Sequence, residues 1–283
     1  MVEKRHWFFD TLPHVILCLG VFIVAFPVWL AFVGSTWDAA TIANGEMPIY
    51  PGPYAAENYY RTLFVGAGRT TGQPVWLMMA NSFVMAITIA VGKIAISIVS
   101  AYAVVYFRFP FRMAAFWLIF ITLMLPVEVR IYPTYEIVAQ LNMLDTYSGL
   151  AIPLIASATA TLLFRQFFMT IPDELIEASK IDGAGPFKFF KDTVLPLSIT
   201  TIAALFVIQF IYGWNQYLWP LLITTKPTMQ TIVIGIKTML VTQDALTEWQ
   251  LAMTTAVLAM VPPVLVVLVM QKLFVRGLVE TEK

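Results

Sequence analysis

The side chains that could do chemistry are few and poorly placed for catalysis. The only histidines are His6 and His14, and the only cysteine is Cys18. Two histidines far from any acidic cluster make neither a metal site nor a nucleophile–base pair. Gly92-Lys93 lacks the upstream glycine and the following hydroxyl of a phosphate-binding loop. Cys18 sits in an apolar run and reads as a small apolar filler. The polar residues that stand out lie inside apolar stretches instead: Lys93, Glu128, Arg130, Asn215 and Gln216. Lys93 falls about 22 Å of helix rise before Arg108 at ~1.5 Å per residue. A charge at that depth must face an interior or a cavity. It serves either as an interhelical partner for a carbonyl or carboxylate, or as a solute contact. The same two readings stand for Glu128 and Arg130 as a charge pair or a gate, and for Asn215 and Gln216 as helix–helix hydrogen bonding or solute contact.

A second constellation lies in the segment from Thr170 to Pro196. Thr170 with Asp173 three residues on reads as a capped helix start with acids at the positive end. Gly183-Ala184-Gly185 breaks that helix, and Pro186 opens a second one. Phe187, Phe190 and Val194 then fall on one face, with Lys188 and Lys191 beside it. This describes a helix-turn-helix with an aromatic ridge, either lying on a membrane surface or serving as a docking knob.

The elements that must position these residues are membrane spans. The chain has 283 residues, of which 59% are apolar and 12% charged, with a net charge of +0. An ordinary soluble domain carries about 25% charge. Disorder, a disulfide scaffold and a global basic field for nucleic acid are excluded. Charge-free runs of 27, 23, 15, 19, 33 and 23 residues follow Asp10, Arg69, Arg112, Asp145, Asp192 and Glu248. A spanning helix needs ~20 apolar residues. Six spans are expected, at about 13–34, 77–107, 113–137, 147–168, 198–223 and 249–271, in a single transmembrane domain over 1–283. The third run is too short alone, so its helix must continue through Glu128 and Arg130, with Pro126 as a kink. The first run reads as a span, not a cleaved leader.

Lys and Arg set the orientation. With the N-terminus inside, cytoplasmic segments hold eleven of the 17 and outer segments five, and Lys93 lies within a span. Both termini are then cytoplasmic. The segment Trp37–Gln73, rich in proline and glycine, is an ordered outer loop. Ala156 and Ala160, and Ser157 and Thr161, give the fourth span the small residues that let helices pack in lipid.

Glu177-Ala178-Ser179, then three residues, Gly183, nine residues, and Thr193-Val194-Leu195-Pro196 resemble the coupling motif of ABC-importer permeases. Ser179 and Thr193 depart from its usual alanine and isoleucine. Ala101-Tyr102-Ala103 with Arg108-Phe109-Pro110, Trp214–Pro220 and Phe274–Leu278 are similar to the carbohydrate-uptake, maltose-permease-like class. Segments 120–130, 157–169 and 210–220 resemble permeases of sn-glycerol-3-phosphate importers.

The resemblance implies an all-α type I ABC-importer permease bundle of six helices in a bacterial inner membrane. Glu177, Ala178, Ser179, Gly183, Phe187, Phe190, Leu195 and Pro196 would form its ATPase-coupling loop. Implied partners are a homologous permease, two ATP-binding subunits, and a periplasmic or lipid-anchored solute-binding protein. ATP and Mg would sit on the partner ATPase, and this chain would bind no cofactor and catalyse nothing. A maltose-type or other sugar permease stays open within the class. A stand-alone secondary carrier stays open outside it, although no internal repeat is found.

Overall fold

A computed structural model describes residues 7–66, 72–122, 125, 127–240 and 248–280. The side chains at 7–10, 127, 128, 272 and 274–280 lie outside that description, as does Pro126 with its expected kink. Every regular element among the described residues is helical. The helices are α1 Trp7–Gly34, α2 Ala39–Ala43, α3 Ala55–Tyr60, α4 Val75–Tyr106, α5 Arg112–Ile121, α6 Val127–Gln140, α7 Tyr147–Ala151 and α8 Ala158–Phe168. They continue with α9 Asp173–Ile181, α10 Pro186–Phe189, α11 Leu195–Leu197, α12 Ile199–Trp214, α13 Leu218–Ile223, α14 Ile232–Leu240 and α15 Trp249–Glu280. Among the described residues, three helical stretches are long and apolar enough to cross a membrane: Thr11–Gly34, Val75–Tyr106 and Trp249–Gln271. Two bent pairs raise the number to five if each makes one crossing.

The expected fourth and fifth spans are not continuous helices. The fourth bends by 48° between Tyr147–Leu154 and Ala158–Phe168. Ser157 causes the restart: its extended backbone lets its hydroxyl accept from the Ala160 N–H, as an N-cap does. The Ser157 carbonyl accepts from Thr161 N at 3.3 Å, and Ser97 Oγ donates to it as well at 3.2 Å. The expected fifth span, 198–223, breaks after Trp214 and resumes at Leu218. Pro220 has no N–H to offer the Gln216 carbonyl and its ring crowds that group, which favours a break at this point. Asn215 and Gln216 therefore lie in a break. The Gln216 amide folds back onto the Tyr212 carbonyl at 3.2 Å.

The chain divides into two compact units. One combines residues of Met1–Trp76 and Gly235–Met260. Here hydrogen bonds hold the described part of the proline- and glycine-rich segment after α1; residues 67–71 of the expected loop lie outside the described residues. Asn58 Nδ2 donates to the carbonyls of Ser35 and Trp37, each at 2.9 Å, and Gly52 N donates to Thr36 Oγ1 at 2.7 Å. Gly52 has to be glycine, because a Cβ there would sit 2.6 Å from the Trp37 ring. The Asp38 carboxylate caps α2. The Thr41 hydroxyl and backbone bonds hold its pKa below the usual value, against the opposing effect of desolvation. The middle of α1 exposes its apolar side chains all round, as a helix meant for lipid or a partner does.

The other unit combines residues of Leu77–Ile234 and Val261–Lys283. α4 is its central element. One core gathers Ile98, Ala101 and Tyr102 with Phe164, Phe168, Phe189 and Val194. A second gathers Met85 and Ile89 with Leu150, Trp219 and Ile223. Backbones approach closely where side chains are absent: a Cβ at Gly213 would lie 2.8 Å from Ala86 Cα.

Candidate functional site

The segment after α8 forms the expected pair of short helices. Its start differs in detail. Pro172 occupies the position before α9 without a side-chain cap, and Thr170 Oγ1 donates back to the Phe167 carbonyl at 2.7 Å. Thr170 therefore closes α8 and does not open α9. Asp173 and Glu174 do sit in the first turn of α9. The turn out of α9 is made by Gly183 at φ +69°. Its N–H meets the Lys180 carbonyl at 3.0 Å, and Ala184 N meets Ser179 O at 2.9 Å. This crossed pair around a left-handed residue is the Schellman termination, which glycine favours because it has no Cβ. Pro186 then opens α10 at its first helical position.

The expected aromatic ridge is corrected in register. Residues Phe190–Val194 form a π-helical turn, so equivalent positions fall five apart. Phe189 and Val194 are consequently both buried in the core. Phe187 points away and is 78% exposed, and Phe190 is half-buried against Tyr102 at 4.9 Å between ring centroids. Glu177, Ala178, Gly183, Leu195 and Pro196 are exposed, and Ser179 is half-buried. Tyr102 Oη donates to the Pro186 carbonyl at 2.7 Å. The Tyr106 ring meets Phe189 edge-on at 5.4 Å. One face of α4, at i and i+4, thus carries the second short helix. A cleft of about 860 Å³ opens alongside, lined by Tyr106, Arg108, Arg112, Asp173, Glu177 and Lys180 among others.

The intramembrane polar residues are only partly brought together. Lys93 is buried, 6% exposed, near the middle of α4. Its ammonium donates to Gln209 Oε1 at 3.1 Å and lies 3.7 Å from the Tyr212 ring centroid. Both partners come from α12, three residues apart. No carboxylate pairs with it among the described residues; the ion pair described is Arg61–Glu248 at 2.9 Å. The expected carbonyl or carboxylate partner is thus a side-chain amide and a ring. Arg130 is exposed on α6, and Asn215 is exposed at the end of α12. Glu128 lies in α6, but its side chain is outside the described residues.

Residues 93–280 match the model of the family described as binding-protein-dependent transport system inner membrane component. The chain belongs to this family. Curated relatives agree along the whole length. The "sn-glycerol-3-phosphate transport system permease protein UgpE" of Rhizobium meliloti is 56% identical over 283 residues, covering all of both chains. The proteins of the same name from Brucella melitensis and Yersinia pestis match to the same extent. Among solved structures, a bacterial ABC transporter involved in the import of the acidic polysaccharide alginate superposes with a TM-score of 0.81 at 19% identity. That match covers 96% of this chain and 98% of the other. The fold is that of an ABC permease, and the chain is an inner membrane component of a transport system.

Tyr102, Tyr106, Gln209 and Tyr212 escape a reading of the sequence for sites. The i, i+4 tyrosines near the end of a span were the available signal. Gln209 had one too, as a polar residue enclosed in the apolar run of α12.

Proposed function

We propose that this chain is a transmembrane permease subunit of an ATP-driven importer for sn-glycerol-3-phosphate or related glycerophosphodiesters. The observation that carries the reading is 56% identity, end to end, to permeases of sn-glycerol-3-phosphate transport systems. The chain forms one permease domain with six crossings. α5 and α6 together make the third, α7 with α8 the fourth, and α12 with α13 the fifth. Both termini and residues 170–196 face the cytoplasm, as the Lys and Arg bias requires.

The functional unit pairs this chain with a homologous permease, two ATP-binding subunits and a solute-binding protein on the outer side. α9 and α10 dock on an ATP-binding subunit. The exposed Phe187 and the acids at the start of α9 offer an apolar and a charged contact. ATP and Mg reside on that partner, whose closure pushes the short helices. Tyr102 and the buried Phe189 pass the displacement to α4, because they tie the two elements rigidly. The bundle alternates between inward- and outward-facing states as a result. This chain binds no cofactor and carries out no covalent step.

Gentle purification from its native membrane tests the reading. The chain is expected to retain an ATPase whose activity rises with solute-loaded binding protein. Recovery as a lone chain that transports without ATP would identify a secondary carrier instead.

A further inference from the structure

Lys93 has a setting that its neighbours do not explain. It lies near the middle of an apolar helix that is long enough to cross the membrane. A lysine at such depth needs an anion or a route to water. The partners it has among the described residues carry no negative charge. Gln209 Oε1 is neutral, and the Tyr212 ring supplies only its π face. A buried ammonium answered by an amide and a ring is under-compensated, since neither carries the opposing charge.

The group is nevertheless aimed. Gln209 is itself buried, 5% exposed, and belongs to the same helix face as Tyr212. Together they hold the ammonium at a fixed place between α4 and α12. An ammonium carries three donors. Gln209 accepts one, and at least one more remains for an oxygen that arrives from elsewhere.

We infer that Lys93, oriented by Gln209 and Tyr212, is a specificity-determining residue that binds the phosphate group of the solute during passage. The inference rests on the glycerol-phosphate reading above. The ring of Tyr212 covers the ammonium in the present conformation, so the phosphate oxygens take the place of the ring when the solute arrives. A phosphate monoester carries more charge than a diester and gains more from the ammonium. The amide of Gln209 serves as a positioning group and does not neutralise charge.

The test uses the complete importer in proteoliposomes with saturating, solute-loaded binding protein. Lys93→Met keeps length and apolar bulk, and Lys93→Arg keeps the charge. Initial uptake of sn-glycerol-3-phosphate is expected to fall roughly tenfold or more in Lys93→Met, as loss of a charge-assisted phosphate contact implies. Lys93→Arg is expected to keep most of the uptake. A glycerophosphodiester, with less charge, should lose less than the monoester in Lys93→Met. The melting temperature of the complex should stay within a few degrees of wild type.

Unchanged uptake in Lys93→Met overturns the inference. So does failure of that variant to assemble, or a large drop in melting temperature that parallels the loss of uptake, because either assigns Lys93 to packing. Absence of uptake by the wild-type importer is a separate result. It overturns the solute reading itself and takes this inference with it.

Discussion

Two glycines two residues apart make opposite predictions. Gly183 has φ +69° with nothing within 4 Å of an added Cβ, so space is free but the backbone is not. Forcing a β-branched residue into that region costs about 1–2 kcal/mol. Gly183→Val is expected to leave the protein in the membrane while weakening ATPase retention or uncoupling ATP hydrolysis from uptake. Gly185 has φ −70° and equally open surroundings. Gly185→Ala should therefore behave as wild type in the same assays. Normal uptake and normal ATPase retention in Gly183→Val would contradict the docking role of this turn. Gly183 could be read from sequence, since two glycines before a proline announce a turn. The setting of Lys93 could not. Depth marks it as unusual, but the amide and ring that hold it come from a helix 116 residues away.

Between elements, the contact of α4 with α10 is open to direct test. Tyr102→Phe keeps the ring contacts and removes the hydrogen bond to the Pro186 carbonyl, which keeps its bond from Phe190 N. The loss should be about 0.5–1.5 kcal/mol. Uptake per ATP hydrolysed should fall more than solute-independent ATPase activity does. Equal ratios in wild type and variant would show that the force passes elsewhere. Asp145 ties another pair of elements, at φ +53°. Its carboxylate accepts from Thr225 N and Thr225 Oγ1, each at 2.6 Å, and from Lys226 N at 2.9 Å. Desolvation pushes its pKa up, but these bonds and the Lys226 charge outweigh it and hold it below the usual carboxylate value. A lowered folded value means that the stabilisation is full above the unfolded pKa of about 3.9 and is lost as pH falls through the folded one. Melting temperature should therefore be level near neutrality and fall in that acid window. Asp145→Asn, which tolerates the left-handed backbone, should melt a few degrees lower at pH 7 and lose part of the acid dependence. An unchanged profile would show the clamp to be idle. Helix type and approximate position were legible from charge-free runs because long apolar stretches leave few alternatives. The breaks at 155–157 and 215–217 were not. Each is favoured by one residue, the capping Ser157 and the N–H-less Pro220, inside a run whose composition stays apolar throughout.

For the whole molecule, orientation and assembly are the consequences to measure. After Cys18→Ala, single cysteines report sidedness to an impermeant thiol reagent. Position 46 suits the outer side because Glu46 is exposed, whereas position 52 is closed by Trp37. Position 185, expected on the inner side, has open space around it. Labelling at 46 and protection at 185 in intact cells is expected, with both labelled after permeabilisation. The reverse pattern would invert the topology and place the helix pair beyond reach of any ATPase. The central claim is that this chain moves a glycerol phosphate only as part of an ATP-driven machine. Uptake into proteoliposomes that contain the complete importer, measured for sn-glycerol-3-phosphate against maltose with and without ATP, tests it most directly. The account predicts uptake of the phosphate ester that requires both ATP and the binding protein, and none of maltose. Uptake without ATP, or of maltose in preference to the phosphate ester, would contradict it.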